Sequence, residues 1–185
     1  HHLHRGPVDH FQQARPLLDP DRAAVAIVAV TDGIEHGFAD AVLEANEFRD
    51  ELTVVVPKER IVDICRFLKE DPQLQFDLLA DVCGIDMYTP AKRFGVIYNL
   101  YSMKNRHRIR LKVFTEEEDP KVPTMTGVYG TANWHERETF DMFGIIFEGH
   151  PDLRRIYMPD DFEHYPLRKD FPLMGIPGSL FLPKK

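Results

Sequence analysis

Apolar and polar residues alternate most regularly in segment 107–114, which predicts a strand with one buried face and one hydrated, basic face. The apolar positions are Ile109, Leu111 and Val113, and the basic ones between them are Arg108, Arg110 and Lys112. Segment 94–101 alternates in the same way, and the short link 102–106 favours an antiparallel hairpin between the two. These two segments therefore predict the centre of an antiparallel sheet.

A polar loop between two apolar stretches predicts a second hairpin nearer the amino terminus. Residues 41–46 and 52–56 flank the polar loop Glu47–Glu51, and the second stretch is β-branched from Thr53 to Val56. Because β-branched side chains favour the pleated conformation, we expect both stretches to be strands.

Helical periodicity follows this hairpin directly. Within residues 58–70 apolar side chains recur at i, i+3, i+4 and i+7, and Pro57 suits the first turn of a helix. A further helical turn is expected at residues 76–80, followed by a strand at about 82–87.

A second helix is expected over residues 131–143. Asn133 and Glu136 have the spacing of a capping box, so Asn133 is the predicted N-cap. Gly144 should end this helix, because glycine readily adopts the left-handed conformation found after the last helical turn.

Together these elements predict an α+β fold in which helices cover an antiparallel-rich sheet. The α+β domain should span residues 36–130, after an irregular leader at 1–35. The second helix and its turn should span 131–150, and an extended, proline-rich tail should occupy 151–185.

The predicted tail combines many prolines with many apolar side chains. Six of the fourteen prolines of the chain lie in it, namely Pro151, Pro159, Pro166, Pro172, Pro177 and Pro183. Prolines at this spacing exclude a regular helix or an interior strand, whereas a disordered tail should be poor in apolar residues. The tail is therefore expected to pack on a surface, which belongs either to its own domain or to a partner.

Composition excludes several classes of function. The net charge of −7 argues against nucleic acid binding, which needs a basic surface. No apolar run is long enough for a direct membrane span, and two cysteines are too few to hold an iron–sulfur cluster. The glycine-rich motifs that bind nucleotides are absent, so binding of NAD or flavin by the usual loops is unsupported.

Charged residues and histidines concentrate in residues 134–170, which raises the question of a metal or catalytic site. The zinc-protease motif His-Glu-x-x-His is incomplete here. One alternative is a stand-alone metallohydrolase using His135, Glu138 and His150, and another is a metal site from Glu138, Asp141 and His150. The many nearby cations favour an ion-paired scaffold instead.

The order of these residues resembles a family signature. Residues 136–156, followed by 166–170, are similar to the signature of the thirty-kilodalton-subunit family of respiratory complex I, the C subunit of proton-pumping NADH–quinone oxidoreductase. The resemblance also covers the predicted hairpins, the first helix and residues 76–86. It implies that the following residues lie at subunit interfaces: Glu136, Arg137, Glu138, Asp141, Phe143, Gly144, Gly149, His150, Pro151, Arg154, Arg155, Pro166, Leu167, Arg168, Lys169 and Asp170.

The resemblance implies a structural subunit in the hydrophilic arm, peripheral on the cytoplasmic face of the bacterial inner membrane. It implies no catalytic residue, metal or cofactor in this chain, with FMN, iron–sulfur clusters and quinone held by other subunits. The expected partners are the large quinone-site D subunit, the cluster-bearing B subunit and other hydrophilic-arm subunits. The equivalent component of a membrane-bound hydrogenase or a ferredoxin-type oxidoreductase is the alternative.

Specific roles are expected for the charged signature residues. Glu136, Arg137, Glu138 and Asp141 should form ion pairs that fix the second helix and the turn at Gly144. The residues expected to hold the tail on partner subunits are Arg154, Arg155, Arg168, Lys169 and Asp170.

Overall fold

A five-stranded sheet lies at the centre of the fold. The computed structural model describes residues 30, 32–34, 37–38, 41–49, 51–89, 92–172 and 175. The strands are β1 (Glu44–Phe48), β2 (Glu51–Val55), β3 (Leu78–Asp86), β4 (Phe94–Ser102) and β5 (His107–Thr115). They lie in the order β1-β2-β5-β4-β3, and every neighbouring pair is antiparallel except β2 with β5. The predicted antiparallel-rich sheet is confirmed.

Two helices cover one face of this sheet. A 3₁₀ turn at Lys58–Arg60 leads into α1 (Ile61–Glu70), and α2 (Ala132–Phe143) packs along the edge strand β3. Two short strands, β6 (Lys121–Pro123) and β7 (Ile146–Glu148), pair in parallel and bracket α2 in the sequence. The fold is therefore α+β, as predicted.

The core lies between the helices and the inner face of the sheet. Val54, Leu111, Tyr98 and Val82 pair across four adjacent strands, and all four are buried. From the helix side, α1 contributes the predicted apolar stripe of Ile61, Ile64, Cys65 and Leu68. The outer face carries the basic residues of β5, which are exposed or half-buried as the alternation predicted.

Two local predictions in the sheet need correction. The predicted helical turn at 76–80 is wrong, because β3 already begins at Leu78 and pairs there with β4. Strand pairing over a long range outweighs the local pattern here. The first hairpin exists, but its strands reach further into the polar stretch than predicted, so Arg49 lies in a tight turn with φ 52°.

The predicted N-cap of α2 is also wrong. The helix begins at Ala132, so the N-cap position is Thr131, which makes no side-chain capping bond. The hydroxyl of Thr131 instead donates to the carbonyl of Leu79 in β3, at 3.3 Å. A tertiary contact has replaced the local cap that the sequence favoured.

The two ends of the chain differ from the predicted leader and tail where the structure describes them. Val30 and residues 32–34 are helical rather than irregular, and Val30 and Ile34 are buried in the core. Residues 150–172, here called the carboxyl-terminal segment, form turns and bends without helix or strand and lie on their own domain. The remaining residues of the predicted leader and tail fall outside the described residues, apart from Gly175.

Candidate functional site

The signature residues meet where α2 ends and the carboxyl-terminal segment crosses it. Gly144 ends α2 in the left-handed conformation, with φ 73°, which confirms its predicted role. A Cβ atom at Gly144 would lie 2.5 Å from the Nη2 atom of Arg168 and 2.6 Å from the ring of Tyr165. Both the backbone conformation and the close approach of the segment therefore require glycine here.

Replacing Gly144 with alanine is expected to lower the free energy of unfolding by about 1–2 kcal/mol, the cost of a side chain in this conformation. The crowding by Arg168 and Tyr165 adds to that cost. Urea unfolding of the full chain measures the change, and Gly127→Ala is the control, since nothing lies within 4 Å of a Cβ there. Equal stability of the two variants would contradict this explanation.

Asp141 binds the carboxyl-terminal segment to α2. Its fully buried carboxylate accepts hydrogen bonds from the backbone N–H groups of Ile156, Tyr157 and Met158, at 3.0, 2.7 and 3.0 Å, and pairs with Arg155 at 2.7 Å. Burial alone would raise the pKa of Asp141, but these hydrogen bonds hold it below its usual range. One carboxylate thus fixes a turn of backbone that has no regular structure.

Arg137 makes a second connection between α2 and the same segment. Its guanidinium donates to the backbone carbonyls of Arg154 and Arg155, at 3.1 and 3.5 Å. The same group stacks on the exposed ring of Trp134, 4.7 Å from the centroid. Arg137 therefore supplies hydrogen-bond donors to carbonyls that have no helical or strand partner.

An ionic cluster around a buried arginine holds the far end of the segment. Arg93, itself buried, pairs with Asp86 at 3.3 Å, with Asp170 at 2.7 Å and also with Glu117. Asp86 additionally accepts a hydrogen bond from the backbone N–H of Lys169, at 2.8 Å. Burial alone would raise the pKa of Asp86, but the hydrogen bonds from Lys169 and Arg93 keep it low. The cluster joins β3, the loop after β5 and the carboxyl-terminal segment.

Arg168 is held by aromatic rings rather than by a carboxylate. Its Nε atom donates to the carbonyl of Phe143, at 2.6 Å, and its guanidinium lies 4.7 Å from the ring of Phe94 and 4.3 Å from that of Tyr165. Burial lowers the pKa of Arg168 from its ordinary value. Within the described ranges Arg168 has no ion pair, and its expected contact with a partner stays a prediction.

Glu136 differs from the other signature acids because it is fully buried without a cation. It accepts hydrogen bonds from the backbone N–H of Met125, at 2.6 Å, and from the hydroxyl of Thr124, at 2.5 Å. Burial raises its pKa from 4.5 to about 7, although these hydrogen bonds oppose the shift. Glu136 therefore ties α2 to the loop after β6.

The prediction that four residues of α2 form ion pairs is correct only for Asp141. Glu136 and Arg137 bind hydroxyl and backbone groups instead, and neither forms an ion pair with another described residue. Glu138 is exposed and, among the described residues, has no ion pair. Arg154 is also exposed and pairs with its neighbour Asp152. A role of Glu138 and Arg154 toward partners stays a prediction.

The histidines of this region do not form the metal site considered above. The imidazole of His150 accepts from the N–H of Asp152 at Nδ1, so Nε2 donates to the carbonyl of Asn133. His135 faces Asp81 instead, at 3.3 Å. Throughout the described part of the chain, no three His, Cys, Asp or Glu side chains form a cluster that could hold a metal. His150 thus fixes the turn formed with Gly149 and Pro151.

Comparison with known proteins identifies the family. The profile of the family described as “Respiratory-chain NADH dehydrogenase, 30 Kd subunit” matches residues 54–177. The chain belongs to this family. A relative from Rhizobium meliloti (strain 1021), named as the second C subunit of NADH-quinone oxidoreductase, is 60% identical over 125 residues, which cover 68% of each chain. The C subunit of the same enzyme from Roseiflexus sp. (strain RS-1) is 54% identical over 144 residues, covering 78% of this chain and 83% of the relative.

Solved structures agree with membership of the 30-kDa-subunit family. The trypsin-resistant fragment of Nqo5 aligns with a TM-score of 0.55 and 36% identity, over 67% of this chain and 98% of the fragment. A chain of the membrane-bound sulfane sulfur reductase, described as an archaeal respiratory membrane complex, aligns with a TM-score of 0.67 and 27% identity, over 78% of this chain and 84% of that one. The fold is therefore shared between different respiratory complexes.

Sequence reasoning missed several residues that determine the conformation of this member of the 30-kDa-subunit family. Arg93 and Asp86 were not candidates, because neither belongs to the signature and each precedes or ends a strand without any unusual local pattern. Thr124 and Met125, which bind Glu136, carry no chemical signal in the sequence. Only the pairing of distant elements reveals these contacts.

Proposed function

We propose that this chain is a structural subunit of the hydrophilic arm of proton-translocating NADH–quinone oxidoreductase. It supports electron transfer from NADH to quinone without holding FMN, an iron–sulfur cluster or quinone itself. Its partners are the large subunit that forms the quinone site and the smaller one that bears an iron–sulfur cluster, at the cytoplasmic face of the membrane. No helix among the described residues combines the length and apolar character needed to cross a bilayer.

The observation that carries this proposal is the set of contacts that the signature residues make within the chain. Asp141, Arg137 and Arg155 bind backbone groups or one another, and Asp170, at the far end of the segment, pairs with the buried Arg93. These hydrogen bonds and ion pairs hold the conformation of the carboxyl-terminal segment, which supports a structural role for the signature residues. The family signature therefore encodes a fixed surface.

Assembly of the complex tests the proposal. The wild-type chain with an affinity tag should copurify from membranes with the quinone-site and cluster-bearing subunits. Arg168→Ala and Glu138→Ala should reduce that copurification, because each removes a charge that is unpaired within the described chain. Arg66→Ala is the control, since Arg66 is exposed and pairs with Asp63 on its own helix.

The cofactor content of the purified complex distinguishes a defect in assembly from a defect in the catalytic cofactors. Whatever complex the two variants still form should carry the same FMN and iron per molecule as wild type, because no cofactor is assigned to this chain. Fully assembled and active complex from either variant would count against the proposed interface role. Failure of the wild-type chain to copurify with these subunits would overturn the proposed function itself.

The alternative assembly is not favoured. Relatives with 54% and 60% identity are named as subunits of NADH–quinone oxidoreductase, whereas the sulfane sulfur reductase chain is 27% identical. An equivalent component of a hydrogenase or ferredoxin-type complex would copurify with a different large subunit, so the same purification distinguishes the two.

A further inference from the structure

An apolar groove runs along the free edge of β3, beside α2. It has a volume of about 250 Å³, and its walls include Val82, Cys83 and Gly84 of β3, Met142 and Phe143 of α2, and Leu167 of the carboxyl-terminal segment. We call it the β3–α2 groove. The groove opens to the surface beside several signature residues. A group that binds in it is therefore relevant to how this protein contacts partner subunits.

The groove has this form because side chains of α2, and not a further strand, cover the edge of β3. The hydroxyls of Thr131 and Thr139 donate to the carbonyls of Leu79 and Val82, at 3.3 and 3.4 Å. These bonds satisfy edge carbonyls that would otherwise pair with another strand. Addition of a partner strand to this part of β3 is therefore disfavoured, and a side chain is the better fit.

Leu167 is presented to solvent in a fixed position. Its own N–H donates to the carbonyl of Met142 at 3.2 Å, and the next two residues are held by the bonds from Arg168 to Phe143 and from Lys169 to Asp86. Its side chain is nevertheless 55% exposed. An apolar residue whose backbone is already fixed loses less entropy on contact, which is a property of strong interface residues.

The charged side chains that line the groove are acidic. Two carboxylates line it, Asp81 and Glu138, and no lysine or arginine of the described residues does. Asp81 already accepts a hydrogen bond from Cys83 and faces His135, whereas Glu138 has no ion pair within the described part of the chain. Burial, the hydrogen bond to Asp81 and the charges of Asp81 and Glu138 raise the pKa of Cys83 to about 12, although the charge of Arg110 opposes the shift.

We propose that the β3–α2 groove receives a lysine or arginine side chain of a partner subunit, with an apolar neighbour of that residue contacting Leu167. The aliphatic part of the cationic side chain would pack on Met142 and Phe143, and its charge would meet Glu138. Long cationic side chains suit such a site because their stems are apolar and their ends are charged. The inference rests on the proposed function and adds to it the position and chemistry of one contact.

Photo-crosslinking from the groove tests this contact in the assembled complex. Leu167→Cys and Met103→Cys are labelled with a thiol-reactive photo-crosslinker, since Leu167 and Met103 are similarly exposed, at 55% and 60%. Cys65 is buried, and the raised pKa of Cys83 makes its thiol react slowly, so the introduced thiols react first. Crosslinked peptides are identified by mass spectrometry.

The crosslinker at Leu167 should capture a partner peptide that contains lysine or arginine, and the one at Met103 should not capture the same peptide. Assembly should also protect the thiol at Leu167 from maleimide, while the thiol at Met103 keeps reacting. Capture of a second copy of this chain, capture of its own residues 176–185, or an unprotected thiol in a complex that still copurifies would each overturn the inference. In these cases the proposed function would stand.

Charge reversal tests the chemistry of the occupant. Glu138→Lys should weaken association with the complex on the order of 10- to 100-fold, because it places like charges together at the groove. Glu118→Lys is the matched control, since Glu118 is an exposed acid in the loop after β5. Glu138→Asp keeps the charge and should retain association within about threefold. Equal association of the Glu138→Lys and Glu118→Lys variants would rule out a cationic occupant.

Discussion

Replacing Asp141 with alanine is expected to lower the free energy of unfolding by about 3–5 kcal/mol, the cost of removing one partner from a buried, hydrogen-bonded ion pair. The substitution leaves Arg155 without its carboxylate and leaves the N–H groups of Ile156, Tyr157 and Met158 without their acceptor. Because no helix or strand supports this backbone, the carboxyl-terminal segment should detach locally before the rest of the chain unfolds.

Two measurements check this result on the full chain. Urea unfolding gives the change in stability, and limited proteolysis should cleave the Asp141→Ala variant within residues 150–172 faster than wild type. Asp141→Asn should lie between the two, because its amide oxygen still accepts hydrogen bonds but carries no charge. Asp152→Ala is the control, since Asp152 pairs with Arg154 at the surface. Unchanged proteolysis of the alanine variant would mean that the segment is held by other contacts.

Replacing Glu136 with glutamine is expected to make the stability of the protein less sensitive to a rise in pH between 4.5 and about 7. Burial raises the pKa of Glu136 from 4.5 to about 7, so between these pH values the folded chain keeps a proton that the unfolded chain has released. The neutral form therefore contributes stability that is fully present below pH 4.5 and is lost as the pH rises through about 7. Glutamine remains neutral and can keep bonds to Thr124 and Met125.

The quantity to measure is the difference in the free energy of unfolding between the Glu136→Gln variant and wild type. Urea unfolding at about pH 5, 6, 7 and 8 should show the Glu136→Gln variant gaining about 2–3 kcal/mol on wild type across this range, from about 1.4 kcal/mol per pKa unit. Glu70→Gln, at the exposed end of α1, should give a curve parallel to that of wild type. A parallel curve for Glu136→Gln as well would show that the carboxyl group is already ionised in the folded chain.

Much of the local structure could be predicted from periodicity. Alternation located β4 and β5, helical spacing located α1, and Gly144 marked the end of α2. Predictions failed where a distant contact replaced a local one. Residues 76–80 include the start of β3 because β4 pairs with it. The hydroxyl of Thr131 donates to a carbonyl at the edge of β3 instead of capping the helix.

The candidate site was predicted in part. The signature located the residues that meet at the end of α2, and Asp141 does form the expected ion pair. The other contacts of the site could not be inferred, because Asp86 and Lys169 lie 83 residues apart and the buried Arg93 pairs with acids from three separate elements. Which charges become neighbours depends on how the chain returns across β3, and no local pattern specifies that path.

The sequence by itself determined most of the strands and helices, the family and the need of the proline-rich, apolar segment for a surface. Tertiary structure decided that residues 150–172 lie on their own domain, that β2 and β5 are parallel neighbours, and that Glu136 is buried without a cation among the described residues. The physical reason is the distance along the chain over which each interaction acts. Side-chain periodicity and backbone preference act over a few residues, whereas burial and ion pairing depend on atoms that only the complete fold brings together.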